Sequence, residues 1–372
     1  MGHIDPVRPA ELRDERDASE STCRGPGGHA RWLIPRDAWM LGGAPCSPWN
    51  QLSVRGYDAR GLENGGQRPL MTDLIAATTP DDITAAVQAS FDDCPDERLR
   101  QVMRSLTSHL HAFVKDVELT ETEWGAAIEL LTRSGHITDE KRQEFILWSD
   151  ALGVSMLVDL LGHRPAAGAT ESTVLGPFYV PGAPLRDYGA SIAERDAGTP
   201  VWMHGTVRSL DGTPLAGAEL DVWQNGDDQL YAVQDPQAPD EHLRGRFLTR
   251  DDGSYGFVAV RPTAYPIPHD GPVGEMLAGT GRHPWRPAHI HMIVRAPGHR
   301  SVTTHLFDAE SDYLDSDAVF AVKPSLLRVF TPRAADDPDR PDCFAGPWLS
   351  LESDFVLVPG DAGEPVDPGR TA

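Results

Sequence analysis

The chain contains no run of eighteen apolar residues, so no segment of it reads as a transmembrane helix. Its first residues, Met1 to Pro9, lack the basic stretch and following apolar stretch of a secretory leader, and none is expected. Only four cysteines are present, Cys23, Cys46, Cys94 and Cys343, with no CxxC pair among them. That usage argues against a disulfide or zinc framework and for a reduced, cytoplasmic setting. Positive charge is scarce as well: 33 Lys and Arg stand against 56 Asp and Glu, a formal net charge of −23. Residues 1–70 are balanced, nine Arg against nine acids, whereas the rest holds 24 basic and 47 acidic residues. Such a body repels phosphate backbones and anionic lipid surfaces, which argues against a nucleic-acid or membrane partner and leaves small molecules.

What is present divides the 372 residues by character. Residues 1–70 follow neither a helical nor a strand period and are thick with Gly, Pro, Asn and Arg. They are expected to be a poorly ordered extension, with Met71 as the natural start. From Thr79 to about Leu161 the pattern is helical. Thr79 is placed to cap, Pro80 suits the first helical position, and Asp81 and Asp82 favour the positive end of the dipole. A second helix carries Leu99, Val102, Met103, Leu106, Leu110, Phe113, Val114 and Val117 on one stripe. The stripe is either core or a face for a second subunit. A third helix opens with the capping-box sequence Thr120-Glu-Thr-Glu123, and a fourth is expected from about Asp139 to Leu161. From Val201 the period becomes two, with turns at Asp211-Gly212 and Asp251-Asp-Gly253. The expected fold is α+β: a helical N-terminal domain over 71–170, a Gly- and Pro-rich connector over 171–200, an antiparallel β-sandwich catalytic domain over 201–358, and a flexible tail over 359–372.

The chemistry concentrates in Arg286-Pro-Ala-His289-Ile-His291. On a strand alternate side chains share a face, so the two imidazoles project together, roughly 7 Å apart along the strand, while Ile290, Met292 and Val294 take the other face. Such a pair suits Zn, Cu, Fe or Ni. No acid follows in Ile293 to His299, which counts against a cupin-type site. Two tyrosines in unusual settings offer hard anionic oxygens instead. Tyr265 lies in Pro262-Thr-Ala-Tyr-Pro-Ile-Pro268, and Tyr231 lies eight residues beyond Trp223. From the residues alone, aromatic packing is the favoured account of both. His109 and His111 also form a His-x-His, but on a helix they point about 200° apart and are rejected as ligands.

These stretches together resemble the intradiol ring-cleavage dioxygenases. That family's Trp-x7-Tyr, Pro-flanked Tyr and Arg-Pro-Ala-His-x-His are matched by Trp223 to Tyr231, Tyr265-Pro266, and Arg286 to His291, at separations of 34 and 24 residues between successive ligand positions. The resemblance runs from about Thr79 to Phe355. It is strongest to the hydroxyquinol-cleaving branch, through Asp139 to Asp150, Glu171 to Tyr179, Tyr313 to Phe320, and His305 where catechol enzymes carry Gln.

The resemblance implies one non-haem Fe(III) per subunit, held by Tyr231, Tyr265, His289 and His291. It makes Tyr265 the ligand that dissociates to act as a base, and Arg286 a stabiliser of negative charge on the ring. Leu147, Asp150, Val174, Gly176, Pro177, Ile267, Arg286 and Val319 become the substrate-binding residues. The substrates are a small aromatic diol or triol and O2. Hydroxyquinol would be opened to 3-hydroxy-cis,cis-muconate, the tautomer of maleylacetate, in aromatic catabolism; catechol or a chlorocatechol is the alternative. The resemblance further implies a homodimer through the N-terminal helices, with a phospholipid possible at its interface. Two other classes compete: a transthyretin-like β-sandwich that only binds, and a zinc or copper histidine site, neither of which needs the two tyrosines.

Overall fold

The computed structural model describes residues 79–139, 142–163 and 166–360. The expected extension over 1–70, the start at Met71 and nearly all of the expected tail lie outside the described residues.

Among the described residues, five helices come first. Thr79 caps α1 (Pro80–Ala89), its hydroxyl accepting from the Asp82 amide while the Asp82 carboxylate accepts from the Thr79 amide. Asp96 caps α2 (Glu97–Asp116), and Thr120 with Glu123 forms the expected capping box of α3 (Glu121–Ile137). The single helix expected from Asp139 to Leu161 is instead two, α4 (Glu144–Ala151) and α5 (Val154–Gly162), bent by 74°. The break falls at Gly153, whose φ of +72° is left-handed and costs glycine little. Neither piece is long enough to cross a membrane alone.

Among the described residues, the apolar stripe of α2 is not part of a core. Val102, Leu106, Leu110, Phe113, Val114 and Val117 are all exposed, and α2 buries only Thr107. The α4–α5 pair behaves differently. Leu147, Ala151 and Met156 are buried in the same cluster as Tyr231, Tyr265 and Val319, so these helices complete the core of the β-region.

The β-region holds two five-stranded sheets. In the first, β1 (Pro200–Ser209) pairs with β4 (Ser254–Val260) on one side and with β11 (Trp348–Glu352) and then β12 (Phe355–Leu357) on the other; β10 (Thr331–Arg333) completes the edge. The second runs β3 (Arg244–Leu248), β2 (Glu219–Gln224), β7 (His289–Arg295), β8 (Val302–Asp308) and β9 (Leu327–Arg328). The expected antiparallel sandwich needs one refinement, because β1–β11, β1–β12 and β8–β9 are parallel. Each parallel pair joins strands connected through a long excursion of chain, which frees the returning strand from the direction a hairpin imposes.

Alternation along β7 positions the site. Ile290, Met292 and Val294 pack between the sheets against Val201, Met203, Phe257 and Leu351. His289, His291 and Ile293 face the other way, beneath α4, α5, a short helix α6 (Pro272–Gly279) and the two-stranded β5 (Tyr265–Pro266) and β6 (Trp285–Arg286).

Candidate active site

Strand register brings the chemistry-bearing residues together. On neighbouring strands Trp223 lies opposite His291, and His291 opposite His305, so three rings stand in a row across β2, β7 and β8. Trp223 stacks on His291 with centroids 4.7 Å apart and planes 18° apart. Tyr265 and Arg286 are directly paired between β5 and β6. Tyr231 follows β2 on a turn held by its amide donating to Gln234 Oε1 at 3.0 Å, and its ring stacks on Phe178 at 4.7 Å.

The four side chains singled out in the sequence meet at one buried point. Tyr231 Oη is 3.1 Å from His291 Nε2 and 3.4 Å from His289 Nε2, and the two Nε2 atoms are 3.1 Å apart. The Tyr265 ring stands edge-on to Tyr231 at 5.3 Å and lies 5.6 Å from His289. His289 Nδ1 is 2.7 Å from the Pro287 carbonyl oxygen, which can only accept. The ring proton therefore sits on Nδ1, and Nε2 presents a lone pair to the centre. Burial, then the Arg286 charge, holds His289 well below the ordinary imidazole range; burial and then His289 do the same to His291. Burial, followed by Tyr265, pushes the Tyr231 phenol well above its ordinary value.

Neutral imidazole nitrogens facing one another beside two phenols, with no carboxylate among them, form a donor set that suits a cation at its centre. A metal ion supplies the charge that both the lone pairs and an ionised phenol would favour. The donor chemistry thus fits a metal centre. His305 adds to it: its ring is fully buried, both nitrogens lack a hydrogen-bond partner, and its potential ligand atom lies within 4.8 Å of those of His289 and His291.

Among the described residues, Arg286 is the cation at this point. Its Nη1 lies 3.5 Å from Tyr265 Oη and 3.3 Å from His289 Nε2. Burial opposes its charge, but Asp317 and then the Tyr265 phenol outweigh that and hold it protonated. Asp317 receives Arg286 Nε at 3.1 Å and also accepts from the amides of Val319 and Ala321. Leu147, Asp150, Val174, Ile267 and Val319 are buried around the same centre. A cavity of about 410 Å³ opens beside them, lined by Leu147, Pro177, Phe178, Ile267 and, at its rim, Arg142 and Asp270. Gly176 has φ +78°, and a Cβ there would stand 3.1 Å from His291 Cε1, so glycine lets the connector close over the imidazole. The Asp150 carboxyl is pushed up to about 6, chiefly by burial. Sequence reasoning passed over Asp317, Phe178 and the packing role of Trp223. Asp317 and Phe178 lie within stretches that carried the family resemblance, but nothing in their spacing marks them.

A β-sandwich with overlying helices and a buried two-tyrosine, two-histidine centre beside a cavity is the arrangement of a metal-dependent enzyme acting on a small molecule. Residues 174–357 match the family model described as Dioxygenase, and residues 96–170 match the one described as Catechol dioxygenase N terminus. The chain is 48% identical over 283 residues to the hydroxyquinol 1,2-dioxygenase of Nocardioides simplex, covering 75% of this chain and 95% of that one. Among solved structures, the hydroxyquinol 1,2-dioxygenase of Pseudomonas putida DLL-E4 superposes with a TM-score of 0.72 at 48% identity, over 75% of this chain and 98% of that one. The catechol 1,2-dioxygenase of Acinetobacter sp. ADP1 gives 0.69 at 27% identity, over 78% and 97%. The chain belongs to the intradiol ring-cleavage dioxygenases. It is 48% identical to each of those two hydroxyquinol-named proteins and 27% identical to that catechol-named structure.

Proposed function

We propose that the protein cleaves hydroxyquinol (benzene-1,2,4-triol) with O2 between its adjacent hydroxyl-bearing carbons, giving 3-hydroxy-cis,cis-muconate and its tautomer maleylacetate. The metal in this reading is Fe(III), held by Tyr231, Tyr265, His289 and His291. The observation that carries it is the convergence of two phenols and two neutral imidazoles on one buried point, in a chain 48% identical to hydroxyquinol enzymes. When bound, a ferric ion acidifies the substrate hydroxyls and draws electron density from the ring.

The protein's own groups do the rest. Tyr265 Oη would take a proton from one substrate hydroxyl. Arg286, charged and aimed at the centre through Nη1, stabilises negative charge developing on the ring. Leu147, Val174, Pro177, Ile267 and Val319 hold the ring and exclude water, while the Gly176 backbone keeps the connector close. Asp150, buried on the same wall, accepts a hydrogen bond from the third hydroxyl.

The purified, iron-loaded protein is expected to show a visible tyrosinate-to-iron absorption band and to consume O2 with hydroxyquinol in preference to catechol or chlorocatechol. A colourless protein after expression with iron refutes the ferric site; equal turnover of catechol refutes the substrate.

A homodimer through the helical region belongs to the same reading. It is supported by the exposed stripe from Val102 to Val117, with a phospholipid as a further occupant of that interface. Light scattering reporting a monomer refutes the dimer. A cytoplasmic setting is supported by the unpaired state of Cys94 and Cys343.

A further inference from the structure

The segment that follows Tyr265 has two tasks under the reading above. It carries the phenol that must move, and through Ile267 it forms one wall of the cavity. Beyond the Tyr265–Arg286 strand pair, backbone hydrogen bonds hold it sparsely, because Pro266 and Pro268 have no amide to donate and Ile267 is tied to the Pro284 carbonyl at 2.9 Å. Beyond it the chain enters α6, whose first amides need acceptors. Neither Gly271 nor Pro272 offers a capping side chain.

Glu144 meets that need from another element. Its side chain is fully buried at the start of α4. Oε1 accepts from the Val273 amide at 3.0 Å. Oε2 accepts from Arg142 Nε at 3.1 Å and Nη2 at 3.0 Å. Arg142 Nη1 in turn pairs with Asp270 at 2.7 Å, and Arg142 stands at the rim of the cavity. The brace is closely fitted, since a Cβ on Gly271 would come within 2.7 Å of Arg142 Nη2 and 2.9 Å of Glu144 Oε1. Three and six residues past Glu144, on the same helix, come Leu147 and Asp150. One buried carboxylate therefore joins α4, which lines the cavity through Leu147, to the chain that lines it through Ile267. The far end of α6 has its own tie, Arg282 Nη1 to the Ala151 carbonyl at 2.6 Å.

We infer that Glu144, with Arg142, is a positioning residue that sets the spacing between the Leu147–Asp150 wall and the Tyr265–Ile267 segment, and so determines how tightly the aromatic ring is held. The inference rests on the assignment of the cavity as the ring-binding site. It does not need the ring to be hydroxyquinol. Neither residue touches the metal donors, so the brace acts on ring affinity and on the pose of Tyr265, while the metal stays bound.

Glu144→Gln keeps the side chain's size and the acceptor for Val273 but removes the charge facing Arg142. Arg142→Met removes the other half, and Arg142→Lys restores a cation without the two-pronged geometry. Each is prepared as iron-loaded full-length protein and titrated without oxygen with whichever of hydroxyquinol or catechol the wild type cleaves, following the visible band. Iron content and the substrate-free band are expected to match wild type. The dissociation constant is expected to rise roughly ten-fold in Glu144→Gln and Arg142→Met, because a displaced wall loses contacts around the whole ring. Arg142→Lys is expected to recover part of that loss. Unchanged affinity in both principal variants overturns the inference. So does a loss of iron or of melting temperature that accounts for the whole change, since that describes a merely structural pair. Failure of the wild type to bind either ring overturns the functional reading first, and is seen before any variant is made.

Discussion

Replacing Asp317 by asparagine tests how the centre tolerates its own cation. Arg286 and Asp317 are each about 2% exposed at the side chain, and the carboxylate receives Arg286 Nε at 3.1 Å and Nη2 at 3.5 Å. Breaking one side of a buried ion pair typically costs about 3–5 kcal/mol, because the remaining charge stays desolvated. Asparagine keeps a carbonyl oxygen that can still accept from Arg286 or from the Val319 and Ala321 amides, which places the cost near about 3 kcal/mol. For a body of this size that lowers the melting temperature by about 5 °C. One neighbour softens the loss: Arg286 lowers the Asp150 pKa and Asp317 raises it, so neutralising Asp317 leaves Asp150 to answer the guanidinium and brings its pKa down from about 6. Thermal unfolding of metal-stripped wild type and Asp317→Asn, followed by circular dichroism at pH 5 and pH 7.5, measures both effects. The variant is expected to be penalised less at pH 7.5, where Asp150 is ionised and substitutes in part. A melting temperature within about 2 °C of wild type at both values would show that the pair does not hold Arg286, and would refute the reasoning.

Three further outcomes follow from the same geometry. Tyr231→Phe removes a phenol 3.1 Å from His291 Nε2 and is expected to lose the visible band together with activity; retained colour means the ligand is misassigned. Asp150 has a folded pKa raised to about 6 from 3.8, so the stability tied to its neutral form is fully present below about pH 4 and lost as pH rises through about 6, a difference of about 3 kcal/mol. Asp150→Asn is expected to gain on wild type by up to that amount in urea unfolding of metal-stripped protein between pH 4 and pH 7.5, and a gap that stays constant with pH counts against it. Gly176→Ala adds a methyl 3.1 Å from His291 Cε1 at a φ of +78°, costing about 1–2 kcal/mol in backbone strain before any displacement of the imidazole. It is expected to lower iron content per chain, and wild-type iron content would show that the connector yields instead.

What could be read in the sequence was whatever depends on local period or on a short motif. Thr79 and Thr120 announced their helices because capping chemistry is written within four residues. The faces of β7 followed from alternation alone: Ile290, Met292 and Val294 between the sheets, His289 and His291 away from them. Tyr231 and Tyr265 were different. No local property separates a metal-facing tyrosine from a packed one, and their candidacy rested on matched spacing to a family. The split of the expected fourth helix at Gly153 was missed because its apolar residues keep a helical period on both sides of the break, and only the packing of Phe320 against that glycine gives the turn a purpose. Least legible were the contacts that cross between elements. Asp317 lies 31 residues from Arg286, and Glu144 lies 129 from Val273. A carboxylate among 56 acids carries no local sign of the cation or amide it will meet. Those long-range partners are also the ones that hold the centre in shape. A donor set can be spelled by motif, but the charge balance and wall spacing that make it selective are set by residues that only the fold brings near.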